Sequence, residues 1–372
     1  MATIFMESGT DATQGFEFYS SVTNPTKVSS DSTIKLTGPR SIKCTGGSPS
    51  SQAYVTKVSS LSDTGRRISI AYNFTDLPSL GNTSILDIKD ALSTVIFSLK
   101  ISTTGVLLLT NSVGTQIGSN GSTLSTGIWY RICVSYAITN STTNEIRVFV
   151  DESSSISVTN GTSVPTGSAD VSIGWLGSPG ANKIMNFDDI YIDNSSALTD
   201  TGNIRVTAKL PNAENVNNFD TAIGNVRGTS DFNNVNERAL SETNGWQQAG
   251  NTNVVENYGI QDAATGDVDI TDATLVARIA WIWAKEGGAG GGTGEAMFNN
   301  GTEIGISLLT TSSLFTDIVD SSTYPSDVAA VGLRSTGGSR DTFLYECGMI
   351  ISYIPAVVAS TFLPRLSLMG VG

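Results

Sequence analysis

The chain has 372 residues, with 34 acidic side chains against 21 basic ones, no histidine and a formal net charge of −13. So acidic a surface repels phosphate backbones, and no basic patch interrupts it, which argues against a nucleic-acid partner. The length suffices for two or three domains with cores of their own. Apolar runs separated by Ser, Thr, Asn and Gly favour β-sheets joined by turns over disorder.

The opening "MATIFMESG" has no basic segment followed by an apolar one, and no later run approaches the roughly 20 apolar residues of a membrane span. The expectation is a chain made in a cytoplasm, without membrane insertion, so sequons such as those at Asn73, Asn82 and Asn160 carry little weight as glycosylation sites. Cys44, Cys133 and Cys347 are an odd number without CxxC spacing, which predicts buried free thiols instead of a disulfide framework or zinc cage. Period-two alternation then marks the first strands: Ile68, Ile70, Tyr72 and Phe74 share one face while Arg67, Ser69 and Asn73 share the other. The same pattern places Val95, Phe97, Leu99 and Ile101 together. Tyr130, Ile132, Val134 and Tyr136 form a further set, followed by Ile146, Val148 and Val150. The polar cluster "AITNSTTN" between the last two makes them a hairpin with a long loop.

After residue 200 the chain turns Asn-rich and poor in apolar residues, which reads as irregular structure opening a second unit. Alternation returns with Leu275, Ala277, Ile279, Trp281 and Trp283 on one face, a pattern that packs either a second core or an intersubunit seam. The glycine run at 287–294 reads as a loop or hairpin tip; it lacks the Lys-Ser/Thr ending of a phosphate loop. "TEIGISLL" and "TFLYECGMIISYIP" complete the second set. The predicted organisation is all-β: an antiparallel jelly-roll sandwich over 1–200, a second sandwich over 201–355 and an apolar tail over 356–372.

"LSTGIWYRICVSYAITNSTTNEIRVFVDESS", followed by "SIGWLG" and "NFDDIYIDNS", resembles the laminin G-like, concanavalin A-like jelly rolls across the first 200 residues. Together with "VTAKLPNA", "VNE" and the closing "YECGMIISYIP", the whole resembles phage virion proteins found among head and tail components. The resemblance implies a particle component: a capsid-associated decoration or short appendage that binds other virion proteins, foremost the major capsid protein, and is localised in the virion. The alternative is a receptor-binding tail fibre or adhesin recognising host polysaccharide. Poorly covered sheet edges, the Trp281/Trp283 face and the apolar tail add the expectation of a homotrimer.

The stretch "NFDDIYIDN" at 186–194 concentrates three aspartates. On a regular strand Asp188 and Asp189 point to opposite faces and cannot form the carboxylate pair that a glycosidase needs. The glycoside hydrolases of the fold that the chain resembles carry an E-x-D-x-x-E strand, which is absent here, and the lack of histidine removes the usual nucleophile systems. The expectation from sequence is therefore no enzyme and no catalytic residue. The jelly-roll resemblance also implies that Glu7, near the first strand, and Asp188, at the last, share a structural calcium ion; no cofactor is otherwise required. The competing reading has Asp188 capping nearby backbone N–H groups and Asp189 solvated. Trp129 and Trp175 are either a sugar-stacking platform or, more in keeping with strand tryptophans, core. No glycan-binding residue is singled out.

Overall fold

The computed structural model describes residues 3–7, 19–47, 52–63, 65–140, 143–159, 168–217, 219, 221–223, 245–248, 255–261, 264–265, 268–287, 293–298, 302–308, 313–320, 330–337 and 341–356. The tail from 357 onward, the centre of the glycine run, Asn160 and most of the Asn-rich stretch lie outside them. Among the described residues there is no α-helix and a single 3-10 turn, Pro25–Lys27; the rest of the regular structure is strand, paired throughout in antiparallel register.

The first sandwich packs two sheets. One runs through Ser153–Thr159, Asn144–Val150, Trp129–Ile138, Gly65–Phe74, Ile184–Asp193, Ser41–Thr45 and Val28–Asp31, with Thr3–Glu7 also paired to Ile184–Asp193. The other runs through Gln116–Ile117, Leu107–Asn111, Val95–Ile101, Thr83–Asp90, Ser168–Trp175, Ala53–Asp63 and Ser21–Thr23. The alternation explains the arrangement. Ile68, Ile70, Tyr72 and Phe74 point inward with Ile132, Val134 and Tyr136, and all are buried. Rings meet across the layer, Phe74 with Trp175 at 6.1 Å and Phe97 with Tyr136 at 5.3 Å, in the tilted and edge-on geometries that aromatic quadrupoles favour. Cys44 and Cys133 are buried free thiols, the latter pushed up to about 12 by burial.

The opposite face of the first sheet departs from the expected solvated surface. Ser69 and Arg131 lie on this outer face, yet both are buried, because residues 194–204 cross over it on the way to the next strand. Three arginines hold this connection down. Arg67 Nη1 donates to the Thr199 hydroxyl at 3.5 Å, Arg131 Nη1 to Asp200 at 2.8 Å and Arg147 Nη1 to the Leu198 carbonyl at 3.2 Å. Charge on the outward phase of these strands thus becomes an attachment line for the connection.

The second sandwich pairs Thr221–Ile223, Gly245–Gln248, Thr342–Ile354, Thr274–Glu286 and Ser313–Asp320 in one sheet, with Arg205–Lys209 also on Thr342–Ile354. Its other sheet runs through Pro211–Asn217, Val255–Ile260, Ala330–Gly337, Thr293–Phe298 and Thr302–Ser307. The Trp281 face is neither an exposed patch nor an intersubunit seam. Ala277, Ile279 and Trp281 belong to the same buried cluster as Phe5 and the first core, while Ala280, Ile282 and Ala284 face the second. Alternation therefore holds from Ala277 on, and only Leu275, beyond the register irregularity between it and Ala277, turns to the second core.

Candidate functional site

The aspartates of 186–194 sit where the two sandwiches meet. Ile184–Asp193 follows Gly65–Phe74 in register up to Asp188 and resumes at Tyr191, with an irregularity between them. Asp189 has a φ of 50°, in the left-handed region, so the strand kinks there. The kink overturns the expectation that Asp188 and Asp189 face opposite ways. Both reach Thr37: its backbone N–H donates to Asp188 Oδ2 at 3.1 Å and its hydroxyl to Asp189 Oδ2 at 2.9 Å.

All four carboxylate oxygens are engaged. Asp188 Oδ2 also accepts the Leu36 N–H at 3.0 Å, and Asp188 Oδ1 accepts the N–H of Asp189 at 2.9 Å. Asp189 Oδ1 accepts the Val206 N–H at 2.7 Å, and Asp189 Oδ2 pairs with Arg205 Nη1 at 3.1 Å. Arg205 and Val206 open the first strand after the connection, so Asp189 ties the last strand of one sandwich to the entry of the other. It is 1% exposed and not solvated. Burial first, and then the charge of Asp189, push the Asp188 carboxyl well above the usual range. Burial raises Asp189 as well, against the pull of Arg205, and burial with the Asp189 charge raises the Tyr353 phenol.

Glu7 lies opposite Ile190 on the neighbouring strand, so the first-with-last pairing that the calcium expectation requires is present in the backbone. Asp188, however, is gathered with Asp189, Leu36 and Thr37, and among the described residues no group of three Asp, Glu, Cys or His side chains is placed to hold a metal.

Beside this junction lies a cleft with two hollows, and Trp129 lines both. One, of about 400 Å³, is lined by Thr33, Ile34, Lys35, Asn73, Thr126 and Trp129 among others. The second, of about 300 Å³, is lined by Leu36, Trp129, Arg131, Asp151, Glu152 and Arg205 among others. Gly127, at a φ of 76° that L side chains rarely adopt, donates its N–H to the Phe74 carbonyl at 2.8 Å and starts the strand that carries Trp129. Trp129 pairs directly with Asn73 across the strands and is half-buried, unlike Trp175, which is fully buried core with its indole N–H on the Lys183 carbonyl.

The polar groups of the cleft are incompletely matched. Asn73 is 4% exposed and its Oδ1 has no hydrogen-bond partner; Arg131 is 6% exposed and its Nη2 has none either, with Glu152 Oε1 at 3.7 Å. Both residues line the cleft beside the indole, so the site sets an aromatic face among polar side chains, with exposed Lys35 on the wall of the first hollow. Sequence reasoning named Trp129 but not Asn73 or Arg131. The only signal was their place on the outward phase of strands next to a tryptophan, and the strand register needed to join them is not in the sequence.

No protein-family profile matches the chain, and no curated protein sequence matches it. Solved structures do. The endo-β-1,4-glucuronan lyase of the fungus Trichoderma reesei is 12% identical, with a TM-score of 0.42 over 53% of this chain and 98% of its own. An alginate lyase of polysaccharide lyase family 7 is 12% identical, with a TM-score of 0.33 over 42% and 78%. Trypanosoma rangeli sialidase is 12% identical, with a TM-score of 0.35 over 52% of this chain and 30% of its own. The chain therefore spans less than a third of the sialidase. These matches correct the expectation that the chain is not an enzyme, since the sandwiches it is similar to are those of lyases and a sialidase. At such identities the likeness is one of β-sandwich fold and transfers no activity, substrate or site residue.

Proposed function

We propose that this protein is a surface component of a phage virion, a capsid-associated decoration or short appendage, whose first sandwich attaches to glycan through the cleft at Trp129. The virion part rests on the sequence resemblance. The attachment part rests on one observation: a half-buried tryptophan that lines two hollows, with the polar side chains of Lys35 and Asn73 lining one and those of Arg131, Asp151 and Glu152 the other. Sugars are recognised by an aromatic face against the ring and polar groups converging on the hydroxyls, the combination that such a pocket supplies. Assembly as a homotrimer and contact with the major capsid protein belong to the same proposal. The clamp between the sandwiches would hold the cleft at a fixed attitude to whatever surface carries the second one.

The same cleft favours the adhesin reading over decoration alone. Two measurements test the proposal. Mass spectrometry of purified particles should find the chain, at hundreds of copies for a decoration or a few for a tail appendage. An array of bacterial surface polysaccharides should retain the full chain and lose the Trp129→Ala variant. Absence from particles removes the virion part, and equal retention of both proteins removes the attachment part. The chain length of the eluted glycan reads any cleavage in the same sample.

A further inference from the structure

Building on the glycan reading, we propose that the first hollow is a subsite for an acidic sugar, a ring bearing one carboxylate, with Lys35 meeting the charge and Trp129 carrying the ring. Lys35 is exposed on the wall of that hollow. Among the described residues every other lysine and arginine is buried or half-buried, so the exposed cation stands at the tryptophan that lines the cleft. Lys35 makes no ion pair with any described residue. The nearest carboxylate along the chain is committed elsewhere: Asp31 Oδ1 accepts the N–H groups of Thr33 and Ile34 at 2.8 and 3.1 Å, and its Oδ2 accepts from Asn186 Nδ2 at 3.2 Å. Thr33, Thr75 and Thr126 add exposed hydroxyls, and among the described residues no carboxylate lines this hollow.

One positive charge among neutral groups matches one negative charge. A charge-assisted bond from an ammonium to a carboxylate is roughly twice as strong as a bond to a hydroxyl, and a concave wall screens it less than open solvent does. The net charge of −13 does not cancel this, because at physiological ionic strength exposed charges are screened beyond about 8 Å and the nearest cation sets the local potential. The second hollow is the poorer place for an acid. Asp151 and Glu152 line it, and its guanidinium groups are already paired, Arg205 Nη1 with Asp189 Oδ2 at 3.1 Å and Arg131 Nη1 with Asp200 Oδ1 at 2.8 Å. A lysine is a point charge on a flexible stem, so it selects the acid without fixing its direction. Orientation comes from the ring face on the indole and from the threonine hydroxyls.

Isothermal titration of the full chain tests this with the tetrasaccharides of polygalacturonate, hyaluronan and heparosan, each beside its carboxyl-reduced form. Reduction turns every carboxylate into a hydroxymethyl group and leaves rings and linkages as they were. At least one acidic tetrasaccharide should bind about tenfold tighter than its reduced form, and added salt should narrow that ratio. Lys35→Gln should bring the acidic form down to the affinity of the reduced one and leave the reduced one within about twofold, whereas Lys35→Arg keeps the preference. Trp129→Ala should weaken both forms about tenfold, with thermal melts of all three variants confirming the fold. Equal binding of the two forms, lost in Trp129→Ala, removes the acidic class and leaves the glycan site. An acidic preference that survives Lys35→Gln puts the recognising charge elsewhere and overturns the assignment to this hollow. Binding untouched by Trp129→Ala makes Lys35 a surface charge and not part of a subsite, which overturns it too. If none of the six probes binds, the acidic class falls, and the polysaccharide array decides the glycan reading on its own.

Discussion

Two neighbouring polar regions share the loop at residues 33–37, and they are finished differently. Around Asp188 and Asp189 every carboxylate oxygen accepts a hydrogen bond, three of the four from backbone N–H groups. Around Trp129, Asn73 Oδ1 makes no hydrogen bond in the chain and Arg131 Nη2 has only the 3.7 Å ion pair with Glu152, beside two open hollows. Saturation of the first region says that its charges are there to join strands; the second presents an aromatic face and polar side chains to a hollow surface, the arrangement of a binding face. Acidic residues were the conspicuous feature of the sequence, yet the groups suited to binding are a tryptophan, an amide and a lysine.

The comparison breaks if the junction tolerates loss of its charges. Asp189→Ala leaves Arg205 without its carboxylate and the N–H of Val206 unpaired, and it should lower stability by about 3 kcal/mol in denaturant titration. Since Arg205 retains 24% side-chain exposure, water recovers part of the loss, which keeps the effect below that of a fully buried pair. A change under about 1 kcal/mol would show that the junction is not what joins the sandwiches.

A smaller and pH-dependent effect is expected from Asp188→Asn. The amide oxygen can still accept from Leu36 and Thr37, but its NH2 then confronts the N–H of Asp189, a loss of about 1–2 kcal/mol. The folded state holds the Asp188 carboxyl above its unfolded value, so its protonation stabilises the fold. That contribution is complete below the unfolded value of about 4 and is lost as pH rises through the raised one. The stability difference between wild type and Asp188→Asn should therefore be largest in acid and shrink as pH rises. A difference that grows with pH would mean that the three N–H donors outweigh burial and depress the carboxyl.

Calcium sharpens the same contrast. Because the oxygens of Asp188 are committed to backbone donors, calcium or a chelator should move the melting temperature by no more than about 1 °C. A rise of several degrees in calcium that disappears in Glu7→Gln would place a metal where the carboxylate geometry leaves little room for one.

How much of this was legible in the sequence depended on how local each feature is. The inward faces of Gly65–Phe74 and Trp129–Ile138 follow from period two, and the hairpin joining Trp129–Ile138 to Asn144–Val150 follows from the polar loop between them. The aspartate pair was visible but its direction was not, because the left-handed Asp189 is imposed by Thr37 and Arg205, which no neighbouring residue announces. Arg67 fell on the face away from the core, but nothing in its own strand, or in those of Arg131 and Arg147, shows that residues 194–204 will lie across them. Trp281 read as a candidate seam because alternation cannot say whether a face meets a second chain or another part of the same one.

The most direct test of the distinction between a junction that joins strands and a cleft that binds is Asn73→Ala, followed in parallel by denaturant titration and by retention on the surface polysaccharide that holds the full chain best. Asn73 Oδ1 is buried and makes no bond, so removing it should leave stability within about 0.5 kcal/mol of wild type, or raise it, while weakening the glycan. Destabilisation of more than about 1 kcal/mol with unchanged binding would contradict the account, because Asn73 would then serve the fold and not a ligand.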